Sequence, residues 1–131
     1  MARVIAIDAN VAIALIDAQD PHHAWALQFF RDYADFEWHM SVLNFAEVLV
    51  RPAALGRLPD ADRKLQNLGI NVEPLASGDA AALATLRATT GLRMPDAVVL
   101  LLAQSHSGRI ATTDARLASA AESLGLTALA P

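Results

Sequence analysis

Four carboxylates stand out in an otherwise strongly apolar chain. Asp8 is the first polar residue after Val4-Ile5-Ala6-Ile7. Asp114 follows Arg109-Ile110-Ala111-Thr112 with only Thr113 between. Asp96 comes directly after Pro95 and ahead of the apolar run Ala97 to Ala103, and Glu47 lies between Ala46 and Val48. An aspartate after a strand is commonly no more than a helix cap, and that reading serves Asp8, Asp96 and Asp114 taken singly. It does not serve Glu47, and it explains the set less well than its members. Gathered in one place the four would repel. A pair at ~5 Å in an effective dielectric of ~20 costs about 3 kcal/mol, so six pairs approach ~20 kcal/mol. Such a group either takes up protons or encloses a cation. An all-oxygen donor set suits Mg²⁺ or Mn²⁺. An ion of that kind generates hydroxide from water and stabilises the departing oxyanion of a phosphodiester.

The elements that would gather these acids follow from the periodicity. Val4 to Ile7 is a short β-branched run, read as a buried strand. Ala9 to Ile16 is helical, and Pro21 breaks it. Trp25, Phe29, Phe30 and Tyr33 fall at helical spacing, so His22 to Tyr33 forms an amphipathic helix. Glu37 to Ser41 is a second strand. Phe45 to Val50 is helical, with Pro52 stopping or re-nucleating the helix. Asp60 to Leu68 is a weaker helix closed by Gly69, and Ile70 to Glu73 is a short strand. Ser77 or Asp79 caps a helix running to Thr90, which Gly91 stops. Pro95 is tolerated in a first turn, and the helix it opens is apolar all round, hence central, with Gly108 ending it. Arg109 to Thr112 is a strand, Ala115 to Leu124 a helix and Leu126 to Leu129 a last strand. Strands alternating with helices predict a three-layer α/β/α sandwich with a mostly parallel central sheet. Ligand sites in such sheets lie beyond the carboxyl ends of the strands, the edge to which the four acids are delivered.

Composition sets the outer bounds. A chain of 131 residues is read as a single domain spanning 1–131, since halves of it would be too small to bury a proper core. A hydrophobic fraction of 54% excludes a disordered chain. The absence of cysteine excludes disulfides, thiolate zinc sites, iron–sulfur clusters and cysteine nucleophiles. The early Asp8 argues against a signal peptide, and no apolar run reaches the ~20 residues of a membrane span, so a cytoplasmic protein is expected. Ten basic against fourteen acidic residues leave a net charge of −4, which is not the footprint of a protein that coats nucleic acid. Contact with a polyanion would have to be local.

Four segments carry a resemblance. Ile7-Asp8-Ala9-Asn10, Asn44-Phe45-Ala46-Glu47-Val48-Leu49, Met94-Pro95-Asp96-Ala97 and Thr112-Thr113-Asp114 occur in the order and approximate spacing of the PIN-domain nucleases. Each segment alone is a weak signal; the four in order are fairly specific and span nearly the whole chain. Within that superfamily the length resembles VapC-like toxins of bacterial toxin–antitoxin pairs. The resemblance implies a Mg²⁺- or Mn²⁺-dependent endoribonuclease. Asp8, Glu47, Asp96 and Asp114 would form an acidic pocket for one or two metals, with Asp8, Asp96 and Asp114 holding the ion that activates water. Glu47 would orient that water or hold a second ion, and cutting would leave 5′-phosphate and 3′-hydroxyl ends. Asn10 resembles the polar residue two positions after the first aspartate. Thr112 resembles the Ser or Thr that supports the site two positions before the last. Ala9 departs from the Thr common in the first segment, which costs a hydrogen bond but no ligand. The resemblance also implies an RNA substrate, a homodimer and a cognate antitoxin.

The remaining polar residues are weaker candidates. Arg93 and Arg116 flank two of the acids and are candidates to hold an RNA backbone, set against the plainer reading of solvated helix ends. His22 and His23 diverge around a helix start, and His39 and His106 stand alone in the sequence, so all four read as structural or surface residues. The aromatic helix and Val11 to Ile16 carry more apolar surface than one face of a small domain needs, which suggests a partner-binding face. Four rivals share the acid pattern. A receiver domain needs a lysine after its last strand, but the only lysine is Lys64, in a predicted helix. A haloacid-dehalogenase-type phosphatase needs an aspartate where Asn10 stands. A catalytically silent PIN-fold binding protein, or a PIN nuclease outside a toxin system, remains compatible with the sequence.

Overall fold

The computed structural model describes residues 3–131. Its centre is β1 (Val4–Ile7), a strand buried at every position. On one side β1 pairs with β2 (Glu37–Ser41), which pairs with β3 (Asn71–Glu73). On the other it pairs with β4 (Arg109–Ala111), which pairs with β5 (Ala128–Leu129). Every pairing is parallel, so the order β3-β2-β1-β4-β5 makes the sheet wholly, not mostly, parallel. The central register sets Ile5 between Trp38 and Arg109.

Two-residue periodicity divides the strands between two apolar layers. Ile5, Ile7, Trp38 and Met40 pack against α1 (Ala9–Ile16), α2 (His23–Asp32), α3 (Val42–Ala54) and α4 (Leu58–Asn67), through Val11, Phe29, Phe45 and Leu65. Ala6 and Ile110 face α5 (Ala80–Thr90), α6 (Met94–Ser105) and α7 (Ala115–Ser123), through Leu86, Leu100 and Leu117. The result is the expected three-layer α/β/α sandwich. Helix α6 is central, as its sequence requires: Ala97, Val98, Val99, Leu100 and Ala103 are buried, and Pro95 sits in the first turn, where its missing N–H costs nothing.

The ends of two helices need comment. Helix α3 runs from Val42 to Ala54, beyond the expected Phe45 to Val50 at both ends, and Pro52 lies inside it, neither stopping it nor starting a new one. It starts at once after β2 because the Ser41 hydroxyl accepts the Asn44 N–H at 3.1 Å. Pro52 falls in the last turn, where the lost hydrogen bond is a single one at a helix end. Gly108 follows the end of α6, but the left-handed position of that end is one residue earlier. Ser107 takes that conformation, at φ 49°. The amides of Ser107 and Gly108 close the helix on the carbonyls of Gln104 and Ala103, a Schellman cap. Glycine is needed at 108 because a Cβ there would lie 2.6 Å from the Val4 carbonyl oxygen.

The aromatic residues of α2 are not surplus surface. Phe29 packs against Trp25, Tyr33 and Trp38 with ring centroids 5.0–5.4 Å apart, and Phe30 meets Trp38 edge-on at 4.6 Å. The exposed large apolar residues lie elsewhere, among them Val42, Leu43 and Val50 on α3, Leu55 just after it and Leu58 at the start of α4. No helix among the described residues is long and apolar enough to cross a membrane.

Candidate active site

The carboxyl ends of β1 and β4 place the first two acids. Asp8 holds the N-cap position of α1 but makes no capping hydrogen bond. Its carboxylate is turned inward, 6% exposed, and accepts the Thr112 hydroxyl at 2.7 Å. Thr112 is fully buried, and its oxygen also accepts the Asp114 N–H at 3.0 Å. One hydroxyl thus meets the carboxylate of Asp8 and the backbone of Asp114. Asp114 does cap its helix, accepting the Arg116 N–H at 2.9 Å, so the plain capping reading holds for it but fails for Asp8.

Helices α3 and α6 supply the other two. Asp96 lies in the first turn of α6. Glu47 lies on α3, where its Oε1 accepts the Asn44 amide at 3.1 Å. Asn44 is 1% exposed; the same amide donates to the Pro95 carbonyl at 3.2 Å, and its own oxygen accepts the Ser41 hydroxyl at 2.9 Å. Ser41, Asn44 and Glu47 therefore form a chain that locks α3 to the start of α6. The sequence showed Asn44 inside a recognisable segment but gave no sign of this work, because its partner Pro95 is 51 residues away.

The electrostatics show that the four acids share one place. Burial pushes the Asp8 carboxyl up to about 6, and the charges of Asp96 and Asp114 push the same way against the Thr112 hydrogen bond. The Asp96 carboxyl is raised as well, by burial first, then by Asp114 and Glu47, while Arg93 and Arg116 lower it. Asp96 thus feels two of the other acids and both candidate arginines. Arg93, at the N-cap of α6, and Arg116, in the first turn of α7, are exposed. Asn10 is exposed on α1 and makes no side-chain hydrogen bond to the acids.

The donor set fits a hard divalent cation. It is all oxygen, it carries more negative charge than its two arginines offset, and one member is buried against its own ionisation. No three of the four acids bring donor atoms within 4.8 Å of one another. Mg²⁺ does not require that, since it keeps several waters and is commonly held by one or two carboxylates. Beside Arg116 a hollow of about 520 Å³ runs between α5 and α7, lined by Thr89, Thr90, Ser119 and Ser123 among others.

A PIN domain sequence profile matches residues 5–123. The chain belongs to the PIN domain family. This PIN domain shares its fold with several solved structures. A toxin–antitoxin complex from Klebsiella pneumoniae superposes with a TM-score of 0.73 at 20% identity, over 88% of this chain and 90% of that one. VapC20 of Mycobacterium tuberculosis, described as a sarcin–ricin loop cleaving toxin, gives 0.70 at 16% identity, over 88% and 94%. FitAcB from Neisseria gonorrhoeae gives 0.68 at 22% identity, over 95% and 96%. No curated protein matches the PIN domain by sequence.

One histidine expectation is overturned. His39 and His106 do not stand alone: their rings lie 4.6 Å apart, with Glu73 between them. They are 67 positions apart on a strand and at a helix end, so no spacing pattern in the sequence could reveal them. His23 behaves as expected, its Nδ1 resting 2.6 Å from the Ala14 carbonyl.

Proposed function

We propose that this PIN domain is a Mg²⁺- or Mn²⁺-dependent endoribonuclease and the toxin of a toxin–antitoxin pair. The observation that carries the reading is the grouping of the acids: Thr112 ties Asp8 to Asp114, Asn44 ties Glu47 to the start of α6 where Asp96 lies, and burial first, then neighbouring acids, raise the carboxyls of Asp8 and Asp96. A fold that served binding alone would gain nothing from such repulsion. When bound, a divalent ion would supply a water deprotonated near neutral pH and offset charge on the scissile phosphate.

The chain's own groups divide the remaining work. Asp8, Asp96 and Asp114 hold the ion. The Thr112 hydroxyl keeps Asp8 and Asp114 in register. Glu47, steered by Asn44, orients the attacking water or holds a second ion. Arg93 and Arg116 grip the RNA backbone beside the acids, which makes contact with a polyanion local despite the net charge of −4. Attack on phosphorus in line breaks the P–O3′ bond and leaves 5′-phosphate and 3′-hydroxyl ends.

The toxin assignment draws on the printed descriptions of the structural neighbours, a toxin–antitoxin complex and a sarcin–ricin loop cleaving toxin among them. A cognate antitoxin and a second copy of the chain are its proposed protein partners, and the cytoplasm its proposed location. The test is cleavage of structured and single-stranded RNAs with Mg²⁺, Mn²⁺ or EDTA, beside the Asp96→Ala protein. Metal-dependent cutting that the substitution abolishes is expected. Absence of cutting together with absence of any metal-linked rise in stability would replace the enzyme by a silent binding protein. Cutting that proceeds without relief from a co-expressed small partner would place the nuclease outside a toxin system.

A further inference from the structure

A second cluster of ligating side chains contains none of the four acids. Strand β2 contributes His39, β3 ends on Glu73, and His106 follows the last turn of α6. Helix α6 separates this cluster from Asp96 by ten residues, about 15 Å of helix. His39, Glu73 and His106 are the only group among the described residues in which three such side chains bring donor atoms within 4.8 Å of one another.

We propose that His39, Glu73 and His106 form a separate metal site for Zn²⁺ or a similar imidazole-preferring transition-metal ion, with a fourth position open to water. Two imidazoles and one carboxylate are the donors such ions take, whereas Mg²⁺ favours oxygen. The spacing agrees. Ligands about 2.1 Å from one tetrahedral ion stand about 3.4 Å apart. Here Glu73 Oε2 is 2.9 Å from His106 Nε2 and 3.3 Å from His39 Nδ1.

An independent observation is the state of His39. The residue is 8% exposed, and its Nδ1 is enclosed with no hydrogen-bond partner. The Glu73 contact at 3.3 Å is close enough for an ion pair but too misaligned for a hydrogen bond. The other ring nitrogen, Nε2, is 3.3 Å from Glu37 Oε1. With its proton on Nε2, donated to Glu37, His39 presents a buried Nδ1 lone pair to a carboxylate oxygen. That pairing is repulsive without a cation between the two atoms. With one, Glu37, His39 and the ion form the carboxylate–histidine–metal relay that orients ligating imidazoles. Glu73 and His106 are partly exposed, which leaves a way in. A cavity of about 120 Å³, lined by Ser41, Glu73, Leu102, Ser105 and His106 among others, adjoins the two and has room for a bound water. The ion would tie the edge of the sheet to the C-terminal end of α6.

The test uses the full chain stripped with EDTA, given ZnCl₂ and desalted, with retained zinc measured by elemental analysis and affinity by titration. His106→Gln and Glu73→Gln each remove one ligand. Asp96→Asn is the control at the acid edge. Wild type and Asp96→Asn should retain one zinc that excess Mg²⁺ does not displace. Each cluster variant should bind zinc roughly 100-fold more weakly or worse, while still unfolding cooperatively in EDTA. If His106→Gln fails to fold, Glu73→Gln at the strand end decides the matter. Zinc lost in Asp96→Asn but kept in both cluster variants would move the ion to the acid edge and overturn the proposal. So would a wild-type chain that retains no zinc, the outcome expected if a proton alone holds the cluster.

Discussion

Asp8 accepts one side-chain hydrogen bond, from Thr112, and is otherwise enclosed, with like charges on Asp96 and Asp114 adding to the cost of its ionisation. With its carboxyl pushed up to about 6 from 3.8, the folded metal-free chain binds this proton more tightly than the unfolded chain does. The stabilisation that results is fully present below pH 3.8 and is lost as pH rises through about 6. Each pKa unit is worth about 1.4 kcal/mol, so the loss by pH 7 is on the order of 3 kcal/mol. Asp8→Asn keeps an oxygen for the Thr112 hydroxyl and removes the charge. In EDTA at pH 7 the variant should be more stable than wild type by up to that order, the difference vanishing near pH 4, while RNA cleavage is abolished. Denaturant melts at the two pH values check the first point; an Asp8→Asn protein less stable than wild type at pH 7 would refute it. The delivery of Asp8 and Asp114 to one edge was legible in the sequence, because parallel strands bring their carboxyl ends together whatever the details of packing. The meeting of His39 with His106 was not. It depends on which way a strand residue points and on where a helix stops, and neither leaves a spacing signature.

Elements were read better by type than by boundary. All five strands and the helices around them follow from periodicity, but α3 begins three residues earlier than its apolar run suggests and passes Pro52. The Ser41 cap and the proline's place in the final turn decide those ends, and both depend on the backbone more than on hydrophobicity. The end of α6 shows the same thing. Ser107 occupies a left-handed position that glycine would take without strain, and Gly108 occupies one where only a bare Cα clears Val4. Ser107→Gly should therefore stabilise the chain by about 0.5–1 kcal/mol, through relief of the left-handed backbone. Gly108→Ala should destabilise it by about 1–3 kcal/mol, since β1 would have to shift at the centre of the sheet. Urea unfolding of the pair gives opposite signs if the cap is as described, and like signs if it is not.

At the scale of the whole molecule the acidic balance and the two arginines at the acid edge set how the chain meets RNA. Two cations displace about two counterions, so log affinity for single-stranded RNA should fall against log salt with a slope of about −1.4. The inactive Asp96→Asn protein, titrated at several salt concentrations, measures it. A slope steeper than about −4 would mean a basic surface far larger than Arg93 and Arg116 supply. The sheet order has a consequence in time as well. Asp8 must find Thr112 across 104 residues, and β1 gains its β4 neighbour only after β2, β3 and helices α1 to α6 have been made. At ordinary rates of synthesis that interval is roughly 5–20 s. Throughout it the nascent chain carries Asp8 without Thr112 or Asp114, so no acid pocket assembles on the ribosome before the segment bearing β4 and Asp114 has been made.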